Sequence, residues 1–119
     1  RRESRVTEGS AVSITYVSGS SRRLQTMSLA RRALPTGARV VIIDDFMKAG
    51  GTIRGLQELL AEFKAELVGT GVLMATADPP EKLVRDYLAL LVLEEVDEVR
   101  QEIRVRPSGW LLEEGGEEP

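Results

Sequence analysis

Apolar and polar positions along the chain predict a strand-rich α/β domain. Residues Ser10 to Val17 alternate between apolar and polar side chains, which is typical of a half-buried strand. A second alternation runs from Leu24 to Leu29, after a segment rich in serine and arginine at Ser18 to Arg23. Two short strands around such a segment predict an antiparallel ribbon that projects from the main sheet around a flexible loop.

The central pattern is an apolar run that leads into two acids and then into glycines. Val40 to Ile43 are apolar without alternation, which favours a strand buried on both faces of a parallel sheet. Asp44 and Asp45 follow directly, so we expect them to mark the point where the strand meets water. Gly50-Gly51-Thr52 then frees the backbone to turn, and Thr52 is predicted to cap the next helix.

The rest of the chain continues the alternation of strands and helices. Apolar residues at spacings of three and four predict an amphipathic helix from Thr52 to about Lys64. An apolar stretch after it predicts a parallel strand. The other predicted elements are a strand at Glu66–Thr76, a short helix at Glu81–Asp86, a strand at Tyr87–Val96, and a terminal hairpin formed by Gln101–Val105 and Trp110–Leu112.

Composition narrows the class of protein. A chain of 119 residues with 42% apolar and 29% charged residues is typical of one soluble globular domain. No apolar run approaches the roughly 20 residues that span a bilayer, and no signal-peptide pattern opens the chain, so we expect a cytoplasmic protein without a membrane partner. The chain has no cysteine and no histidine. This excludes disulfides, thiolate metal sites, a cysteine nucleophile and a histidine base.

The charge is unevenly spread. A net charge of −3 argues against strong DNA binding by this chain alone, because lysine and arginine contacts to phosphate dominate such binding. Arginines crowd the first third, and the pairs Arg22-Arg23 and Arg31-Arg32 flank loops. They either serve an anionic ligand or form a solvated basic face. Residues 113–119 form an acidic tail, which we expect to be disordered.

The glycine loop and the two acids suggest one kind of ligand. Backbone N–H groups in such a loop converge on a phosphate, and the following helix directs its positive dipole end there. Adjacent carboxylates accept hydrogen bonds from sugar hydroxyls, directly or through Mg²⁺ and its waters. A ribose 5-phosphate fits both requirements.

Other readings of the same loop are weaker. A P-loop requires a lysine after its glycines, whereas Lys48 precedes them, and Gly69-Thr70-Gly71 lacks the third glycine of a dinucleotide fingerprint. The acids and glycines could also be purely structural. That reading would suffice for Asp44-Asp45 alone, but it explains the whole combination of strand, acids and glycine loop less well.

The same residues resemble a known family. VVIIDDFMKAGGT is similar to the phosphoribosyl pyrophosphate signature of type I phosphoribosyltransferases. RRESRVTEGS, ITYVSGSS, LQTMSLARR and IDDFMKAGGT together resemble the effector domain of bacterial purine operon repressors, which are transcription factors built on that fold. The resemblance covers residues 1–112, and the acidic tail at 113–119 has no counterpart.

The resemblance implies a ligand and its contacts. Asp44 and Asp45 would hold the ribose hydroxyls of phosphoribosyl pyrophosphate, with or without Mg²⁺. The loop after them would wrap the 5-phosphate, and the mobile loop would cover the site. The implied loop residues are Phe46, Met47, Lys48, Ala49, Gly50, Gly51 and Thr52, and those of the mobile loop are Ser20, Ser21, Arg22 and Arg23.

The resemblance also implies a function and partners. Such a domain senses phosphoribosyl pyrophosphate as an inducer without catalysing transfer, and the regulator binds operator DNA through a winged helix domain that would lie upstream of Arg1. The chain then looks like the C-terminal part of a homodimeric repressor, with an incomplete sheet whose exposed edge a neighbouring chain covers. Two alternatives stay open: an active purine phosphoribosyltransferase of the xanthine or adenine type, and a degenerate fold used only for dimerisation.

Overall fold

The computed structural model describes residues 10–17 and 23–113. Within them lie six strands, two α-helices and one 3₁₀ turn. No helix among these residues is long and apolar enough to cross a membrane. In chain order the elements are β1 (Ala11–Val17), β2 (Leu24–Ala30), the 3₁₀ turn (Arg31–Ala33), β3 (Arg39–Met47), α1 (Gly51–Glu62), β4 (Glu66–Thr76), β5 (Leu88–Asp97), β6 (Glu102–Pro107) and α2 (Gly109–Glu113).

The main sheet has four strands in the order β3-β4-β5-β6. β3, β4 and β5 are parallel, and β6 pairs with β5 antiparallel. The predicted α/β class, with a mostly parallel sheet, is therefore confirmed. A bulge at Val68 interrupts the ladder of β3 and β4, because Val40 pairs with Leu67 and Val41 pairs with Gly69.

The antiparallel ribbon exists as predicted, but it does not project from the sheet. β1 and β2 pair with each other, and Val12 packs against Leu59 and Phe63 of α1. Nearer the start of α1, a Cβ on Gly55 would lie only 3.0 Å from Tyr16 Cβ. β1 therefore runs antiparallel to α1, and its end at Val17 lies toward the N-terminus of that helix.

The described residues cover only one face of the main sheet. Ile42, Val72 and Ala89 on this face form the core with Ile53 and Leu60 of α1, which confirms the predicted amphipathic helix. The expectation that β3 is buried on both faces is wrong, because the helix and the connecting segments pack on the same side. On the opposite face five side chains are between 42% and 75% exposed: Val41, Ile43, Leu73, Leu88 and Leu90.

The short helix predicted at Glu81–Asp86 is also wrong. Residues 77–87 form neither helix nor strand, and several of their polar groups bond to other elements. The Leu83 N–H donates to the Ala49 carbonyl at 2.8 Å, and Lys82 Nζ donates to the Thr76 carbonyl at 2.7 Å. Tertiary hydrogen bonds thus replace the helical ones.

The strand predicted at Gln101–Val105 is present as β6, but its hairpin partner is β5 and not Trp110–Leu112. β5 and β6 make the hairpin, and the Asp97 carboxylate accepts the N–H groups of Val99 and Arg100 in its turn. Trp110 to Leu112 lie in α2 instead of in a strand. The Trp110 indole N–H donates to the Ala89 carbonyl at 2.7 Å, so the tryptophan ties this short helix to β5.

Candidate functional site

The candidate site lies at the edge of the sheet where the parallel strands β3 and β4 end. Met47, the last residue of β3, pairs with Ala75, the penultimate residue of β4. The loop between β3 and α1 and the segment 77–87 therefore leave the sheet side by side. In open α/β sheets, ligands bind in the crevice beyond this edge.

The sequence places Asp44 and Asp45 at the end of the strand. In the structure both lie inside β3. The strand continues to Met47 because β4 is long enough to pair with it, Asp44 with Val72 and Phe46 with Met74. The phenyl ring of Phe46 stays 44% exposed, whereas Met47 is buried.

The two carboxylates differ in their surroundings. Asp44 pairs with Val72 of the core and therefore lies on the α1 side of the sheet. Asp44 is half-buried and its Oδ1 accepts the Asp45 N–H at 2.9 Å, while Asp45 is exposed. Among residues 10–17 and 23–113 neither carboxylate accepts another hydrogen bond, so most of their lone pairs can accept hydroxyl groups.

Gly50 sets the shape of the loop that follows β3. Its φ of 97° lies in the left-handed region, which disfavours any residue with a Cβ, and the residue is buried. Gly50 is the N-cap of α1, so the prediction of Thr52 as the cap is wrong. Thr52 instead lies in the first turn, where the helix has no side-chain cap.

The first turn of α1 offers free donors to a ligand. The Arg54 N–H donates to the Gly50 carbonyl at 2.9 Å and closes the first helical hydrogen bond. The N–H groups of Gly51, Thr52 and Ile53 come before it and have no intrahelical acceptor. Together with the helix dipole, these groups favour an anion, and the exposed Lys48 adds a positive charge beside them.

The segment 77–87 packs behind this loop and contributes a lysine that sequence reasoning missed. Lys82 Nζ donates to the Thr76 carbonyl at 2.7 Å and to Thr76 Oγ1 at 3.1 Å. Thr76 Oγ1 in turn donates to the Asp78 carbonyl at 2.8 Å and lies 3.4 Å from the Lys48 carbonyl. The sequence signal that could have identified Lys82 is its position in the connection after β4, the strand that pairs in parallel with β3.

The environment of Lys82 lowers its pKa. Burial of the ammonium group is the main cause, the nearby Asp78 carboxylate opposes it, and the charge of Lys48 lowers the pKa further. Lys82 and Lys48 are therefore close enough to repel each other. The two lysines concentrate positive charge at the same edge of the sheet.

The residues of the predicted mobile loop are only partly described. Ser20, Ser21 and Arg22 lie outside the described residues. Arg23 is exposed and directly precedes β2. Because β1 runs antiparallel to α1, this end of the ribbon lies toward the helix terminus that carries the free N–H groups.

No group of three or more histidine, cysteine, aspartate or glutamate side chains among residues 10–17 and 23–113 is arranged to hold a metal ion. One or two carboxylates, such as Asp44 and Asp45, fit Mg²⁺ that is carried by a phosphorylated ligand, since such Mg²⁺ keeps several waters and needs few protein ligands.

Comparison with known proteins agrees with this geometry. The sequence model described as "Phosphoribosyl transferase domain" matches residues 1–106. The chain belongs to this family. The phosphoribosyl transferase domain accounts for most of the sequence, including the strand, the acids and the glycine loop of the candidate site.

Curated relatives of this phosphoribosyl transferase domain include regulators. It is 51% identical over 111 residues to the purine biosynthesis transcriptional repressor of Bacillus subtilis, covering 93% of this chain and 39% of the relative. It is 40% identical over 106 residues to a purine biosynthesis transcriptional activator of Lactococcus lactis, covering 89% and 39%. The chain thus spans about two-fifths of the length of these relatives, and the resemblance to purine operon repressors is confirmed.

Enzymes share parts of the same domain. Adenine phosphoribosyltransferase of Xanthomonas campestris is 50% identical over 42 residues, which cover 35% of this chain and 23% of the enzyme. The solved structure of adenine phosphoribosyltransferase from Thermoanaerobacter pseudethanolicus aligns with a TM-score of 0.59 at 22% identity, over 72% of this chain and 50% of that one. The structural likeness confirms the phosphoribosyltransferase fold.

Proposed function

We propose that this chain is the effector-binding part of a cytoplasmic transcriptional regulator of purine biosynthesis genes. Its ligand is phosphoribosyl pyrophosphate, which it binds as an inducer without transferring the ribosyl group. The proposal is supported most directly by the glycine loop at the sheet edge, together with the names of relatives that match nearly the whole chain.

The proposed contacts follow from the geometry of that edge. The N–H groups at the start of α1, with Lys48 and the backbone of residues 46–52, bind the 5-phosphate. Asp44 and Asp45 accept the ribose hydroxyls, and Asp44, which lies on the α1 side of the sheet, is the nearer of the two to the phosphate. Mg²⁺ enters with the pyrophosphate of the ligand. Arg23 approaches from the end of the ribbon.

Titration calorimetry with phosphoribosyl pyrophosphate tests this proposal. Replacing both acids, by Asp44→Ala with Asp45→Ala, removes the acceptors for the ribose hydroxyls, so we expect at least about a tenfold loss of affinity. The matched control is Glu94→Ala with Glu95→Ala, which removes two adjacent exposed acids from β5. Equal affinity of the wild type and the variant with Asp44→Ala and Asp45→Ala would contradict the proposed binding of the ribose by these acids.

Active phosphoribosyl transfer is the second candidate. It is favoured by the 42-residue match to adenine phosphoribosyltransferase, and such catalysis works by positioning and charge stabilisation, which need neither histidine nor cysteine. Release of pyrophosphate in the presence of adenine, guanine, hypoxanthine or xanthine would replace the sensing proposal by this one.

Two further partners belong to the proposal. Operator DNA is bound by another part of the regulator, since the present chain is acidic overall. The second partner is another copy of the same protein. The exposed apolar face of the sheet supports homodimerisation, because large apolar patches are rarely left in water. Light scattering that gives a monomer at micromolar concentration would contradict the homodimer.

A further inference from the structure

We propose that Lys82 is a positioning residue that holds the glycine loop in its ligand-binding shape and places a second positive charge behind it. This inference rests on the proposed function only for the identity of the ligand. The hydrogen bonds that carry it are independent of any ligand.

Hydrogen bonds and packing connect the segment 82–84 to three successive loop residues, 48, 49 and 50. Through Thr76, Lys82 reaches the Lys48 carbonyl, which lies 3.4 Å from Thr76 Oγ1. Its neighbour Leu83 donates its N–H to the Ala49 carbonyl. Next along the loop is Gly50, where a Cβ would lie 3.4 Å from both Leu83 N and Val84 Cγ2. The segment that begins at Lys82 therefore covers the back of the loop from residue 48 to residue 50.

The charge of Lys82 is available to an anion. Its ammonium donates to a carbonyl and a hydroxyl, both of which are neutral. No ion pair involves it within the described ranges 10–17 and 23–113. The Asp78 carboxylate lies nearby and offsets part of the charge, but it makes no ion pair with Lys82. A partly buried ammonium exerts a stronger field than an exposed one, because less water screens it. Lys82 thus adds to the potential produced by Lys48 and the helix N-terminus.

The proposed role requires a cationic hydrogen-bond donor at position 82. A methionine would preserve most of the aliphatic stem but would remove both hydrogen bonds and the charge. An arginine would preserve the charge and donor groups. Comparing Lys82→Met with Lys82→Arg therefore separates the role of the cation from the role of side-chain packing.

The first measurement uses the intact protein without ligand. In Lys82→Met we expect the amide hydrogens of residues 48–53 to exchange at least about threefold faster, because the loop loses its support from behind. Lys82→Arg should stay within about twofold of the wild type. The control is Arg85→Met, which removes an exposed cation from the same segment and should leave this exchange unchanged.

The second measurement is titration calorimetry with phosphoribosyl pyrophosphate and with ribose 5-phosphate at two salt concentrations. Lys82→Met should bind both ligands about three- to tenfold more weakly and with a smaller dependence on salt, because one charge near the anion is gone. Lys82→Arg should restore most of the affinity. Should Lys82→Met fail to fold, Thr76→Val removes the hydroxyl through which Lys82 reaches the loop. It should speed the exchange of residues 48–53 and weaken binding, but leave the salt dependence unchanged because the Lys82 charge remains.

The outcomes separate the two proposals. Unchanged amide exchange of residues 48–53 in Lys82→Met would contradict the proposal that Lys82 supports the loop. Faster exchange with unchanged ligand affinity would contradict the role of Lys82 in binding. A wild-type protein that binds neither ligand contradicts the proposed function. In that case the exchange measurement alone decides whether Lys82 supports the loop.

Discussion

Two connections leave the same edge of the sheet and are held in different ways. The loop between β3 and α1 has three residues, 48–50, and its course is set by the left-handed conformation of Gly50 and by the start of the helix. The connection between β4 and β5 has eleven residues, 77–87, and no regular structure. Its course is set by hydrogen bonds and apolar contacts to other elements.

The difference suggests a division of roles at the site. The short loop leads directly into the first turn of α1, so its shape decides how the N–H groups of Gly51, Thr52 and Ile53 are presented. The long connection stabilises that shape from behind, through the Leu83 N–H, the Lys82 ammonium and the buried Val84 side chain. A binding loop with free donors thus depends on a neighbour that is itself irregular.

The largest effect is expected from Gly50→Val. The left-handed conformation is strained for a β-branched residue, and the added side chain would meet Leu83 N and Val84, so we expect a loss of about 3 kcal/mol in the free energy of unfolding and of ligand binding. Urea denaturation measures the stability.

Gly37→Val is the matched control for Gly50→Val. Gly37 has a similar φ of 83°, but nothing lies within 4 Å of a Cβ there. It should cost about 2 kcal/mol, which is the backbone strain alone. If Gly50→Val and Gly37→Val lose the same free energy of unfolding, the residues of the long connection do not pack against Gly50.

The second effect is expected from Val84→Ala. Val84 is 5% exposed and belongs to the core, so removing two methyl groups should cost about 2 kcal/mol. Leu83→Ala, at a side chain that is 52% exposed, should cost less than about 1 kcal/mol. Thermal denaturation of both variants checks the contrast, and a reversed order would contradict the described packing of this connection.

The smallest effect concerns pH. The pKa of Lys82 is lowered below its ordinary value of 10.5, mainly by burial, so between the lowered pKa and 10.5 the unfolded chain binds more protons than the folded one. The contribution of Lys82 to the free energy of unfolding therefore rises with pH in that window and is constant below it. Urea denaturation of the wild type and Lys82→Met across this range should show a small, increasing difference in favour of the wild type.

The two connections also differ in how far the sequence could predict them. The glycine loop and α1 follow from local rules, because Gly50 permits a turn and the apolar stripe of α1 has a helical period. Within the long connection, the sequence predicted a short helix at Glu81–Asp86. That prediction failed because Lys82 and Leu83 bond to residues more than five positions away along the chain, which no local pattern reveals.

The same limit applies to the acids and the strand that carries them. Four apolar residues in a row correctly predicted β3, but its length depends on pairing with β4, so Asp44 and Asp45 were placed beyond the strand instead of inside it. The covering of only one face likewise depends on where α1 and the ribbon pack. The type and order of the elements were thus mostly predicted correctly, whereas the strand ends and the covered faces of the sheet were not.

The position of the two acids on β3 has a consequence for handling the protein. β3 is an edge strand of the described sheet, and charged side chains on an edge hinder pairing with the edge of another molecule. Replacing both acids by alanine would remove this protection against aggregation together with the binding groups. Asp44→Asn with Asp45→Asn keeps polar side chains there, so this variant and a check for monodispersity should accompany every binding measurement.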